Sequence, residues 1–179
     1  MSNTPKGHVM DKFKSLVHLV IADCDNPAKL GAIRLNKILW FSDMEAYLQT
    51  GNSISGTKYL RRKKGPVPAH ILQSLKELES ENKINIEEPA EKYTPRKYTS
   101  LTDPDLNMFS DFEQDIVKDI AKNICNNFSA DQISELSHDD VWEAAGEGEN
   151  IPLSATLISY SGDYRSEITN WADSVVDNR

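Results

Sequence analysis

Ser137-His138-Asp139-Asp140 sets a hydroxyl, an imidazole and two carboxylates in a row. These are the parts of a nucleophile–base–acid relay, or of a metal site. Either use needs the groups to converge, and neighbours on a helix point apart. The pattern instead predicts a helix start. Ser137 or His138 would be the cap, and Asp139 and Asp140 would lie in the first turn, where carboxylates meet unpaired N–H groups. His8, His18 and His70 stand singly, His18 as a core-edge histidine. Cys24 and Cys125 have no Cys or His at ligand spacing beside them. No HExxH and no carboxylate cluster at ligand spacing occurs. Gly146-Glu147-Gly148-Glu149 is glycine-rich but acidic, so it repels phosphate and reads as a loop after a helix. These residues predict no catalytic centre, no metal and no cofactor.

Binding chemistry is better represented. Lys58, Arg61, Arg62, Lys63 and Lys64 form a basic run that ends in Gly65-Pro66-Val67-Pro68. Two prolines fix their own φ, so such a turn loses little freedom on docking. The run would steer an acidic surface towards it. Trp142, close to acidic residues, is the tryptophan expected to be partly exposed and to serve as an anchor; Trp40 and Trp171 read as core. The expected partner-binding residues are Lys58, Tyr59, Arg61, Arg62, Lys63, Lys64, Gly65, Pro66 and Pro68, with His138 and Trp142 from a second segment, 138–149. The basic run would take an acidic partner and the second segment a basic one.

Several elements must position these residues. Residues 9–24 predict a helix, with Met10, Phe13, Val17 and Val20 recurring at three and four, stopped by Asn26-Pro27. Residues 32–49 predict a second, closed by Gly51. Its Ile33, Leu35, Ile38, Leu39, Trp40, Phe41, Met44, Tyr47 and Leu48 cover most of the circumference, which places it at the centre of the core. A short strand follows at Tyr59-Leu60-Arg61, then a turn at Gly65-Pro66. A third helix starts at Pro68, where a missing N–H costs nothing, and buries Ile71, Leu72, Leu75 and Leu78. Two β runs, 84–86 and 97–101, pair through the polar segment 87–96. Ser110 with Glu113, and Ser129 with Gln132, are capping boxes. They open a fourth helix, with Phe112, Ile116, Ile120 and Ile124 on one side, and a fifth with Ile133 and Leu136. A short helix at 139–145, a loop at 146–162 and a last helix at 163–176 complete the chain. The fold class is mainly α with a small antiparallel β-sheet (α+β), one domain over 1–179, with a winged-helix-like strand–helix–hairpin segment in the middle.

That segment raises DNA as a partner. The polar face of the third helix, however, mixes Gln73, Ser74, Lys76, Glu77 and Glu79. Residues 58–102 carry ten basic and six acidic side chains, net +4, but residues 103–179 carry four and seventeen, net −13. An acidic third and a net charge of −8 disfavour both nucleic acid and an anionic membrane. At 179 residues and 39% hydrophobic the chain can bury a core and is not disordered. The apolar run 16–22 is broken by His18 and followed by no cleavage site, so it is no signal peptide. No stretch nears the roughly 18 apolar residues of a membrane span. Two cysteines make no disulfide framework, which suits a reducing cytoplasm.

Four segments, in order, resemble one family. Lys37-Ile38-Leu39-Trp40-Phe41-Ser42-Asp43 matches its Lys-Leu-x-Tyr-like helix ending in an acid. Gly51, Ile54, Gly56 and Tyr59 follow, then Gly65-Pro66-Val67-Pro68, then Leu136-Ser137-His138 with Trp142. Over about residues 10–155 the chain resembles the Panacea domain, the SocA-like antitoxins, also known from phage- and mobile-element-encoded proteins. The resemblance implies a non-enzymatic antitoxin that neutralises a cognate toxin by direct binding. The toxin would be an alarmone-synthetase-like enzyme or another growth inhibitor. Adaptors that deliver a toxin to a protease, and relatives with an added DNA-binding segment, are alternatives within the family. The match begins so near the N-terminus that no added segment is expected here.

Overall fold

The computed structural model describes residues 6–24, 26–91 and 94–159. In chain order the elements are α1 (Lys6–Asp23), α2 (Pro27–Thr50), β1 (Tyr59–Arg62), β2 (Gly65–Pro68), α3 (Ile71–Ser80), β3 (Ile84–Glu87) and β4 (Lys97–Ser100). A 3-10 turn (Leu106–Met108) leads to α4 (Asp111–Asn127), α5 (Ala130–Leu136), α6 (Asp140–Ala144), β5 (Asn150–Ile151) and α7 (Leu153–Ser159). The fold is mainly α with small antiparallel sheets, as expected. The expected helix at 163–176 lies outside the described residues.

α1 buries Phe13, Leu16, Val17, Leu19, Val20 and Ile21. His18 is buried with them and meets Ser100 Oγ at 3.0 Å. Asn26 accepts the Ala28 N–H at 3.1 Å and Pro27 takes the first helical position, so the pair that ends α1 also starts α2. Gly31, at φ 57° and ψ 167°, kinks α2, and regular turns run from Ala32. α2 touches α1, α4, α5, α7, β2 and β4, and buries Leu35, Ile38, Leu39, Trp40, Met44 and Ala46. An all-round apolar helix has found neighbours on all sides. Both capping boxes are present, at Ser110 with Glu113 and at Ser129 with Gln132.

Three expected apolar contacts are solvent-facing. Leu72 is 72% exposed: α3 packs through Ile71, Leu75 and Leu78, and Leu72 stands about 100° off that line. Phe112 and Leu136, 42% and 53% exposed, sit at the ends of α4 and α5, beyond the faces their neighbours cover.

The strands form two sheets, β2-β1-β5 and β3-β4, all antiparallel. The expected turn at Gly65-Pro66 is in fact strand β2, and Pro68 ends it instead of opening α3. The reversal lies at Lys63-Lys64, because Arg62 pairs with Gly65. Both lysines keep negative φ, and Gly65 completes the bend at φ 94°. Prolines fit this strand because its partner asks nothing of them. Arg61, opposite Pro66, gives its N–H to Glu149 O (2.8 Å) and accepts from Gly148 N–H (2.9 Å). The ring nitrogens of Pro66 and Pro68 therefore lie along the outer edge of the sheet. The expected loop at 146–162 instead contains β5 and α7. A two-residue strand carries no alternation to read and exists only by pairing with Tyr59 and Leu60.

Candidate partner-binding site

Most buried apolar residues form one core, but Trp40, Met44, Tyr59 and Ile151 make a second, smaller cluster under the hairpin. Trp142, Val141 and Leu153 pack on its rim. Trp40 meets Tyr59 edge to face, ring centres 4.9 Å apart.

Two charged side chains of α2 are buried beside this cluster. Asp43 is fully buried and accepts from the Ser55 N–H (2.8 Å) and the Ser55 hydroxyl, and its carboxyl stands 2.7 Å from the Tyr59 hydroxyl. The Tyr59 hydroxyl also stands 2.8 Å from the Leu39 carbonyl. A phenol has one proton for these two acceptors. Both contacts are satisfied when the Asp43 carboxyl carries a proton itself, donates to Tyr59, and Tyr59 donates to Leu39. Burial pushes the Asp43 carboxyl up, while the hydrogen bonds from Ser55 and Tyr59 pull it the other way.

Lys37, 1% exposed, donates to the Pro66 carbonyl at 3.0 Å. It thus ties α2 to the outer strand of the hairpin. Gly65 lies against its tip, and a Cβ there would overlap both Lys37 Nζ and Ser137 Oγ. Burial draws the Lys37 ammonium down to about 7. The unfolded chain holds that proton up to an ordinary 10.5, so between these values it binds more protons than the folded chain. Folding stability should therefore rise as pH climbs from about 7 towards about 10. Urea midpoints across that range check this, and Lys37→Met should flatten the slope. An equal slope in the variant would show that Lys37 is not its source.

Above this buried frame lies a mixed aromatic and cationic surface. Arg61 donates through Nε to the Trp142 carbonyl (3.0 Å), with its guanidinium 4.2 Å from the Trp142 ring centre. Trp142 Nε1 donates back to the Arg62 carbonyl (3.1 Å). The His138 ring stacks on Trp142 at 3.8 Å and 12°. Asp139, neither Ser137 nor His138, caps α6, accepting the Trp142 N–H at 2.8 Å. Its neighbours stand too early in the chain for that place: Ser137 closes α5, and His138 is turned onto Trp142. His138 Nε2 is buried with no hydrogen-bond partner among the described residues, and burial, then the nearby Lys37, pull its pKa down.

The two segments expected as separate patches face each other. Glu147 lies 3.5 Å from Arg61 and 3.6 Å from Arg62, and Asp131 lies 3.3 Å from Lys64. The acidic 131–149 stretch is thus a counter-charge for the basic hairpin. Such exposed pairs are worth about 0–1 kcal/mol each, so they mute the hairpin's field more than they hold the fold. Lys58, Arg62, Lys63 and Lys64 are exposed, and Arg61, His138 and Trp142 half-buried. Tyr59, Gly65, Pro66 and Pro68 are buried and support the surface from beneath. Lys37, Asp43, Ser55 and Ser137 are parts of this frame that the expected partner-binding residues do not include. A signal for the first two existed: a helix apolar around its circumference must also bury the polar residues between.

Among the described residues no group of three or more His, Cys, Asp or Glu could hold a metal ion, and no helix is long and apolar enough to cross a membrane. No curated protein and no solved structure matches the chain. A family model does, that of the SocA-like antitoxins with their Panacea domain, over residues 35–143. The matched span takes in Lys37, Asp43, the whole hairpin, His138 and Trp142. Covering more than half of the sequence, with the hairpin and the buried Lys37 and Asp43 beneath it, the match makes this chain a member of the SocA-like antitoxin family, the Panacea domain proteins.

Proposed function

We propose that this chain neutralises a cognate toxin protein in the cytoplasm by binding it directly, without catalysis of its own. The contact face would be the hairpin tip with α6: Lys58, Arg61, Arg62, Lys63, Lys64, His138 and Trp142. The observation that carries this is the Arg61–Trp142–His138 stack. It is half-exposed, aromatic, and held by hydrogen bonds in both directions between hairpin and α6. A surface fixed before binding loses little entropy when it docks, and tryptophan and arginine are favoured anchors. The exposed lysines and Arg62 around it would meet acidic groups on the toxin. DNA is disfavoured, because phosphates approaching the tip would also meet Glu147 and Asp131.

The test is co-expression with the products of adjacent genes, scored for growth rescue and co-purification. Arg62→Glu with Lys63→Glu changes two exposed side chains and should leave the circular dichroism and melting temperature unchanged. Affinity for the rescued toxin should fall about tenfold or more at low salt. Unchanged affinity would remove the tip from the interface. Failure of every neighbouring product to be rescued would remove the antitoxin reading itself.

A further inference from the structure

Cys24 and Cys125 are 101 positions apart in sequence, yet their sulfurs lie 3.2 Å from each other and both are buried. Cys24 sits in the link between α1 and α2, and Cys125 on the buried face of α4 beside Ile124 and Ala121. The Cys24 thiol is 3.4 Å from the Asn26 carbonyl, so it donates there while its sulfur accepts from Cys125. A disulfide brings the two sulfurs to about 2.05 Å, a closing of roughly 1.2 Å from the present separation. The hydrogen bond with Cys24, then burial, hold the proton on Cys125, while Arg34 and Lys29 pull the other way. Arg34 is fixed there by two bonds to the Phe128 carbonyl, 2.9 and 3.1 Å. A nearby cation favours the reactive thiolate whenever the site opens.

We propose that Cys24 and Cys125 are an oxidant-sensitive pair that closes to an intrachain disulfide in the presence of a small disulfide such as oxidised glutathione. One cysteine thiolate attacks the glutathione disulfide and releases one glutathione thiol, leaving a mixed disulfide. The second cysteine, giving up its proton, attacks the protein sulfur of that bond and releases the second glutathione. The chain loses two protons and two electrons, and one glutathione disulfide becomes two thiols. The new bond joins the end of α1 to α4 and encloses α2, the hairpin and β3–β4 in one covalent loop. So long a loop removes much freedom from the unfolded chain, so the oxidised form resists unfolding more than the reduced form. This holds whichever partner the chain binds.

The experiment treats the full chain with oxidised glutathione, quenches it with an alkylating agent under denaturing conditions, and measures intact mass. The expected product is a monomer lighter by two hydrogens that takes up no alkyl group. Its melting temperature should be higher by roughly 10 °C and return on reduction. Cys24→Ala and Cys125→Ala should each abolish both changes. Two alkylated thiols, a stable glutathione adduct, a disulfide-linked dimer or a lower melting temperature would each overturn the pair. The wild-type mass decides even where an alanine variant does not fold.

Discussion

Gly65→Ala should destabilise the chain by about 3 kcal/mol, a large loss for a single added methyl group. Two costs act together. Gly65 bends the hairpin at φ 94°, a left-handed conformation that costs an L-residue about 1–2 kcal/mol. Its Cβ would also enter the space of Lys37 Nζ and Ser137 Oγ, and overpacking of this kind costs about 1–3 kcal/mol. Neither neighbour is free to retreat. Lys37 is buried and bound to the Pro66 carbonyl, and Ser137 donates to the Ser134 carbonyl at 2.6 Å. Urea unfolding measures the loss. A change below about 1 kcal/mol would mean that the lysine tip moves aside and that the frame is softer than its hydrogen bonds imply.

Asp43→Ala should cost at least as much, about 3–5 kcal/mol. It removes the acceptor of the Ser55 N–H, the Ser55 hydroxyl and the Tyr59 contact, all buried, and leaves a gap. Each orphaned buried polar group costs about 1–3 kcal/mol, and the Tyr59 hydroxyl recovers part of this through the Leu39 carbonyl. Asp43→Asn separates the two protonation states of the native carboxyl. A neutral side chain of the same shape replaces a protonated Asp43 at a cost of about 1 kcal/mol or less, because its amide donates where the acid proton did. If Asp43→Asn unfolds the chain as readily as Asp43→Ala, the native carboxyl is ionised and the proton assignment fails. Comparing urea unfolding curves of the two variants with wild type decides it.

The parts of this molecule that could be read from sequence are those whose cause is local. α1, α2 and α4 repeat apolar residues every three or four positions, and the caps at Ser110 and Ser129 need only a glutamate or glutamine three residues on. The hairpin shows where such reading stops. Gly-Pro-Val-Pro has turn composition, and only the pairing of Arg61 with residues 148 and 149 shows that a proline can stand opposite it in a strand. The basic run was legible as charge. Its counter-ions, Glu147 and Asp131, are brought to it by the fold, so the net field of the site was not legible. The approach of Cys24 to Cys125 likewise depends on α1 packing beside α4, which no spacing encodes.

The outer side of β2 has one more consequence. At Pro66 and Pro68 it has no N–H to give, and the Pro66 carbonyl is already taken by Lys37, so an extended segment laid alongside finds neither the donors nor the run of free acceptors that a growing ladder requires. The sheet stops there. A second copy cannot prolong it edge to edge, and a toxin strand cannot be added to it as an extra rung. On the proposed reading, recognition at this end of the molecule is left to side chains, and the same two residues that shape the hairpin keep it from becoming a template for fibres.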